Sequence, residues 1–100
     1  MDNNQANDKK IQIDMNNDLA QGVYANLSMS NHNLEEVVLD FLYIQPNVAK
    51  GSLRSRVIVS PKHAKRLQML LNKTVANYES KYGSIEDIDD SESSIKFSVN

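Results

Sequence analysis

The sequence has no cysteine and no tryptophan, and it has only three glycines and two prolines. Without cysteine the chain can form no disulfide, no thiolate metal site and no thiol nucleophile, so redox chemistry is excluded. The three glycines are too far apart for a dinucleotide fingerprint or a phosphate-binding loop. We therefore expect no nucleotide cofactor, and no cofactor of any other kind is indicated.

Long apolar runs are also missing. No stretch approaches the roughly 18 residues that a transmembrane helix requires, which predicts that the protein has no membrane partner. The Asn- and Asp-rich start of the chain lacks the cationic and apolar segments of a secretory signal. We therefore expect a cytoplasmic protein. Its 100 residues, 40% of them hydrophobic, are enough for one core and predict one domain.

Composition divides the chain into three parts. Residues 1–8 carry almost no apolar surface and are predicted to be a disordered arm. Residues 9–83 are predicted to form the single domain. Residues 84–100 form an acidic tail with five carboxylates between Glu86 and Glu92, and we expect most of it to be disordered, although the alternation of Ile95, Phe97 and Val99 would also suit an edge strand.

An antiparallel β-meander is predicted for the first part of the domain. Alternating apolar and polar residues indicate four strands, at residues 9–15, 23–30, 35–45 and 52–59. Residues 31–33 suit a short hairpin loop, and residues 46–51 form a second loop in which Gly51 allows an unusual backbone angle. Asp18 could equally cap one short helical turn that ends before Gly22.

A long amphipathic helix is predicted to follow the strands. Ser60 can accept hydrogen bonds from the first free amides, Pro61 suits the first helical position, and Gly83 suits the end. We expect this α+β fold to place the helix on one face of the four-stranded sheet. The third strand is apolar on both faces, which predicts that it is central or that a second copy covers its other face. We therefore expect a homodimer or a higher homo-oligomer, with the second sheet face or the edge strands at the interface.

Three local motifs carry a resemblance to a known family. They are G-x-Y-x-N-L at residues 22–27, E-x-V-x-D-F at 36–41 and S-R-V-I-V-S-P-K-H-A-K-R-L at 55–67. Together they resemble domain-of-unknown-function family 3467, a group of short uncharacterised bacterial and archaeal proteins, over about residues 9–83. The resemblance implies no activity, because the family has none assigned. The order of four strands and one helix is also similar to the export chaperone SecB, in topology alone, which licenses no function.

Candidate catalytic and metal-binding residues are few. The two histidines, His32 and His63, have no cysteine or second histidine at ligand spacing, whereas a zinc site needs three or four ligands. Ser60 precedes His63 by three residues, but a helix cap explains the serine fully. We therefore expect no catalytic residue, no metal site and no enzyme activity.

Asp40 is the carboxylate that stands out, because it interrupts an apolar face of the third predicted strand. A charge in such a place needs a partner, and Arg54 or Arg56 on the next strand has the right phase to supply one. A structural charge pair of Asp40 with Arg56 is the preferred interpretation. A contact with an anion or a peptide is the alternative.

Charge is unevenly distributed along the chain. Residues 50–82 hold eight basic residues and one acidic residue, for a net charge of +7, while the rest of the chain carries −9. Because the net charge of the whole chain is −2 and no nucleic-acid-binding motif is present, the favoured function is a non-enzymatic interaction module that self-associates and binds a polypeptide. The alternative is a nucleic-acid-associated protein with the acidic tail as a competitor for the basic surface. The candidate interaction surface consists of Arg54, Arg56, Lys62, Lys65, Arg66 and Lys73.

Overall fold

The computed structural model describes residues 9–86, which form an α+β fold. Its elements are a short helix α1 (Asn17–Ala20), strands β1 (Leu27–His32), β2 (Val37–Ile44) and β3 (Gly51–Val59), and a long helix α2 (Pro61–Tyr82). The strands make one antiparallel sheet in the order β1-β2-β3, so β2 is central. The predicted arm at residues 1–8, and the predicted tail from residue 87 onward with its suggested edge strand, lie outside the described residues.

The described residues form two compact units. The first consists of residues 9–31 and 38–57, and it contains α1 and most of the sheet. The second consists of residues 32–37 and 58–86, and it contains the turn between β1 and β2 together with α2.

The predicted first strand is wrong, so the sheet has three strands and not the four of a SecB-like meander. Residues 9–16 form neither helix nor strand, and the side chains of Ile11, Ile13 and Met15 are about three-quarters exposed, at 76%, 77% and 74%. Alternation makes a segment suitable for a strand, but a strand also needs a neighbour that satisfies its backbone groups. The alternative of one short helical turn is correct, although Asn16 caps α1 by accepting a hydrogen bond from the Asp18 amide.

The hairpin turn between β1 and β2 lies further along the chain than predicted. Its first residue is Asn33, whose Oδ1 accepts hydrogen bonds from the backbone amides of Glu35, at 2.8 Å, and Glu36, at 3.0 Å. The Asn33 amide in turn donates to the Glu36 carbonyl at 3.0 Å. An asparagine side chain that binds nearby amides in this way stabilises a turn by itself. His32 is therefore the last residue of β1 and not part of the loop.

Asn26, of the G-x-Y-x-N-L motif, extends the pairing of β1 with β2 by using its side chain. The Asn26 Oδ1 accepts a hydrogen bond from the Ile44 amide at 2.8 Å, and the Asn26 Nδ2 donates to the Ile44 carbonyl at 3.0 Å. The side-chain amide thus takes the place of a peptide group opposite Ile44. Its own backbone amide donates to the Leu42 carbonyl at 2.9 Å.

Gly51 is required by space rather than by backbone angle, which corrects the sequence-based expectation. A Cβ at this position would overlap Ile44 Cδ1 and lie 3.1 Å from the Tyr43 carbonyl oxygen. The residue with positive φ in the turn is instead Asn47, at 63°. Asparagine tolerates this conformation better than most residues. A larger residue at position 51 would require the Ile44 side chain to move and would crowd the Tyr43 carbonyl oxygen.

Helix α2 begins and ends as predicted. The Ser60 Oγ accepts a hydrogen bond from the His63 amide at 3.0 Å, and Pro61 occupies the first helical position. Gly83 follows the last helical residue and has a φ of 96°, a value that residues other than glycine rarely adopt. The 22 residues of α2 give a length of about 33 Å.

Burial across residues 9–86 is slight. No apolar side chain in this range is buried, and Asp40, which is 8% exposed, is its only buried polar or charged residue. All residues of β2 apart from Asp40 are half-buried. No residue of α2 is buried. The described chain therefore leaves most of its apolar side chains in contact with solvent.

We predict that Asn26→Ala lowers the free energy of unfolding by about 1–2 kcal/mol, because two hydrogen bonds to the Ile44 backbone are lost. Asn26→Asp keeps the acceptor but replaces the donor with a carboxylate oxygen that faces the Ile44 carbonyl oxygen, so at neutral pH it should destabilise at least as much as Asn26→Ala. Urea denaturation followed by circular dichroism measures both variants. Asn77→Ala, on the exposed surface of α2, is the control and should stay within about 0.5 kcal/mol of the parent. Equal effects of Asn26→Ala and Asn77→Ala would contradict the proposed role of the Asn26 amide.

Candidate functional site

The structure brings Asp40 together with Arg56, which comes from the neighbouring strand. Arg56 Nε donates to Asp40 Oδ1 at 2.6 Å, and Arg56 Nη2 donates to Asp40 Oδ2 at 2.9 Å. The side chain of Asp40 is 11% exposed and that of Arg56 is 56% exposed. Two parallel hydrogen bonds between a guanidinium and a carboxylate fix both groups in one geometry. The pair therefore ties β2 to β3 on one face of the sheet.

The ionisation of both groups reflects this contact. The hydrogen bonds from Arg56 lower the pKa of Asp40 below 3.8, with the positive charge of Arg56 adding to the effect and desolvation opposing it. The hydrogen bonds to Asp40, helped by its negative charge, raise the pKa of Arg56 above its usual range. Both groups therefore stay charged at neutral pH, where the ion pair is intact.

The candidate interaction surface is divided between the two units. Arg54 and Arg56 lie on β3, in the first unit. Because two guanidinium nitrogens of Arg56 donate to Asp40, the donors that Arg56 can offer a phosphate or a carboxylate are reduced. Arg54 is exposed. The other four residues of the surface lie on α2, in the second unit.

These four residues share one side of α2. At 100° per residue they fall within an arc of about 100°, and all four side chains are exposed. We call this side the basic helix face, and it consists of Lys62, Lys65, Arg66 and Lys73. Met69 lies among them and is 62% exposed. The basic helix face is a positive strip that extends over about three turns of the helix, from Lys62 to Lys73.

The opposite side of α2 is apolar. Six residues at intervals of three or four fall within an arc of about 80°, centred roughly 180° away from the basic helix face. We call this side the apolar helix face, and it consists of Ala64, Leu67, Leu71, Val75, Tyr78 and Tyr82. Its members from Leu71 onward are 43–64% exposed. The helix therefore presents two surfaces of different chemistry to opposite directions.

The aromatic residues of α2 belong to the apolar helix face. The rings of Tyr78 and Tyr82 lie 4.9 Å apart between centroids, and Lys81 Nζ lies 5.2 Å from the centroid of Tyr82. No aromatic residue lies on the basic helix face, all of which is described. A ligand on that face would therefore meet cations without a surface on which bases can stack.

Ser60 and His63 are placed as a helix start and not as a reactive pair. The contact between them joins the Ser60 hydroxyl to the His63 backbone amide, and the His63 imidazole is exposed. Within residues 9–86 there is no group of three His, Asp or Glu side chains close enough to hold a metal ion.

Two residues with well-defined contacts were missed from the sequence. Asn26 bonds the backbone of Ile44, as described above, and Glu79 Oε2 accepts a hydrogen bond from the Ile85 amide at 2.8 Å. Glu79 is the one acidic residue between Lys50 and Tyr82. Its isolation among basic residues is the feature of the sequence that could have drawn attention to it. Asn26 had a signal too, because it belongs to a family motif.

The fold and its surfaces define a small α+β protein, with a three-stranded antiparallel sheet followed by a helix that is basic on one side and apolar on the other. The chain belongs to the family described as "Protein of unknown function (DUF3467)", whose model matches residues 1–87, and the resemblance seen in the motifs is thereby confirmed. No curated protein and no solved structure matches the chain. In its described part, no helix combines the length and apolar character needed to cross a bilayer.

We predict that Asp40→Asn lowers the free energy of unfolding at pH 7 and makes it less dependent on pH in the acidic range. A carboxyl whose pKa is depressed in the folded state stabilises the fold above its unfolded pKa, near 3.8, and loses this effect as the pH falls through the folded value. The difference between parent and variant should therefore be largest at neutral pH, begin to shrink near about pH 4 and be lost as the pH falls through the lower folded pKa. Urea midpoints between pH 2 and pH 7 measure this difference.

Glu35→Gln is the matched control, since it removes an exposed carboxylate from the turn between β1 and β2. It should leave the difference from the parent small at every pH. A parallel offset of Asp40→Asn at all pH values would contradict an ionic role for Asp40.

Proposed function

We propose that this protein is a non-enzymatic interaction module that self-associates into a homodimer or a higher homo-oligomer and binds a polypeptide partner. One observation carries the proposal: within residues 9–86 no apolar side chain is buried. A folded chain is normally stabilised by removing apolar side chains from water, at roughly 1.5–3 kcal/mol for each large one. We propose that this chain gains that stabilisation by burying its apolar side chains in an assembly.

Two surfaces of the described chain are suited to such an assembly. The apolar helix face offers a continuous stripe about 27 Å long, from Ala64 to Tyr82. Strand β2 offers apolar side chains on both faces of the sheet, all of them only half-buried. The free edge of a sheet is also a surface to which an extended polypeptide can add a strand.

A cytoplasmic location belongs to this proposal. It is compatible with the absence of cysteine, since proteins of reducing compartments do not depend on disulfides.

We predict that Leu71→Glu shifts the protein to a smaller assembly, because a charge would have to be buried in the centre of the apolar helix face. Met69→Glu is the matched control, because the two side chains are similarly exposed, at 53% and 62%, and lie on opposite sides of the same helix. Analytical ultracentrifugation from low to high micromolar concentration measures the mass of parent and variants. Circular dichroism shows whether each variant keeps its helix.

A parent protein that sediments as a monomer throughout would contradict self-association. A parent oligomer that Leu71→Glu and Met69→Glu leave equally unchanged would place the interface away from the apolar helix face.

Nucleic-acid binding is the second candidate function, and the clustering of four exposed cations on the basic helix face favours it. Positively charged side chains on one helix side can neutralise adjacent phosphates and release counterions. Three observations rank it below the first. Arg56 is engaged by Asp40, the tyrosines of α2 lie on the opposite helix side, and the net charge of the chain is −2.

If nucleic acid is the partner, we expect labelled DNA or RNA to bind with an affinity that falls steeply with salt. Replacing Lys62, Lys65 and Lys73 by Gln should then reduce the slope of log K against log salt by up to about 0.9 for each lost phosphate contact. Fluorescence anisotropy measures the binding. Replacement of Lys9, Lys10 and Lys50 by Gln removes equal charge elsewhere and is the control. Equal losses in both triple variants would show that net charge, rather than the basic helix face, governs binding.

A further inference from the structure

The side chains of the apolar helix face increase in size along α2. The face starts with Ala64, continues with leucine and valine side chains, and ends with Tyr78 and Tyr82. The two tyrosine rings lie 4.9 Å apart between centroids and form one bulky cluster at the C-terminal end. Because closely packed interfaces set large side chains against small ones, a partner that covers the whole face must be bulky beside Ala64 and slender beside the tyrosines.

A second copy meets this requirement when its helix runs in the opposite direction. If the two apolar helix faces overlap along their whole length, Tyr82 of each copy lies at the level of Ala64 of the other. Leu71 then lies at the level of Val75 of the other copy. Each tyrosine end is thus paired with the slender end of the second helix.

A parallel pair would set like residues against each other. Ala64 would face Ala64, which leaves space between the helices, while Tyr82 would face Tyr82, which forces them apart at the other end. Helices that pack closely have axes about 8–10 Å apart along the whole contact. The gradient of side-chain size therefore favours the antiparallel arrangement.

Charged residues beside the apolar helix face also match in this arrangement. Glu79 lies about 80° from the centre of the face and Lys65 about 120° from it, on the same side. A twofold axis between antiparallel helices brings the same side of each face together. Glu79 of one copy and Lys65 of the other are then only about 3 Å apart along the helix axis. Since Glu79 uses Oε2 for the Ile85 amide, its second carboxylate oxygen is available to this lysine.

The N-terminal ends of the helices decide between the orientations as well. In a parallel pair Glu79 could reach Lys81 of the second copy, which lies at the other edge of the face. However, the two helix N-termini would lie side by side, each with a partial positive charge. The first turn of α2, all of which is described, has no acidic residue and contains Lys62. An antiparallel pair separates these ends by about 30 Å, well beyond the Debye length of about 8 Å at physiological salt.

We propose that two copies of the chain pair through their apolar helix faces with the α2 helices antiparallel, so that Tyr82 of each copy packs over Ala64 of the other and Glu79 lies beside Lys65. The inference rests on the proposed self-association and specifies the orientation and the register of its interface. The interface is isologous, because each α2 supplies the same residues to it.

The absence of cysteine allows a direct test by disulfide trapping. Full chains with Ala64→Cys and with Tyr82→Cys are mixed under reducing conditions, left to exchange and then oxidised, and intact mass spectrometry distinguishes mixed from like disulfide dimers. We expect the mixed dimer to exceed either like dimer several-fold. Like positions are about 27 Å apart along the axis of the antiparallel pair, whereas a disulfide requires Cα atoms within about 7 Å.

A mixture of Met69→Cys and Asn77→Cys is the matched control. These positions also share a level in the antiparallel pair, but they lie on the outer side of the helices and are exposed, so their yield measures random collision. Predominant like dimers, or a mixed yield for positions 64 and 82 no higher than the control, would overturn the antiparallel pairing. Ultracentrifugation of the reduced parent separates the two proposals, because a monomeric parent contradicts self-association itself.

Exchange of the two charges tests the register in chains without cysteine. Glu79→Lys and Lys65→Glu alone should each raise the dimer dissociation constant, by a few-fold to about tenfold for two symmetric ion pairs. The double variant should recover most of this loss. The two residues are about 21 Å apart within one helix, so recovery reports a contact between copies. Losses that add up in the double variant would overturn the pairing of Glu79 with Lys65.

Discussion

The contact between Asp40 and Arg56 constrains the whole sheet. A carboxylate at the centre of β2 can be shielded from water only if a cation accompanies it, and the cation comes from β3. The pair thus requires the side chains of Asp40 and Arg56 to lie on the same face of the sheet. It also fixes the register of two strands that carry apolar residues on both faces and would otherwise lack a strong signal. The family motif E-x-V-x-D-F contains this aspartate, at residues 36–41.

In this fold, polar side chains stabilise turns and the ends of elements through hydrogen bonds to the backbone. Asn26 imitates a peptide group opposite Ile44, Asn33 closes the hairpin turn, and Ser60 starts α2. Each satisfies backbone groups that would otherwise depend on water. Such contacts define where elements begin and end, but they supply little net free energy individually. Hydrogen bonds within the chain thus define its elements. The remaining stabilisation is consistent with burial of apolar side chains on association.

The elements predicted best from sequence are those with signals in adjacent residues. Ser60, Pro61 and Gly83 bound α2 correctly because capping depends on local backbone groups. The first predicted strand failed because pairing depends on a distant neighbour, which alternation at Ile11 and Ile13 cannot reveal. The turn was displaced because the Asn33 side chain, rather than loop length, selects it. The side-chain role of Asn26 could not be foreseen, since it depends on the position of Ile44. The angular positions of the α2 lysines, by contrast, follow directly from helix geometry.

The back-to-back arrangement of the two helix faces has a consequence for valency. A symmetric dimer formed through the apolar helix face would turn the basic helix face of each copy outward, so that one particle displays two identical cationic ridges. A long polyanion that engages one ridge would then meet the second at a locally raised concentration, and its apparent affinity would exceed that of either ridge alone. In such a particle the stoichiometry of the assembly, and not only the charge of the helix, sets how strongly anions are retained.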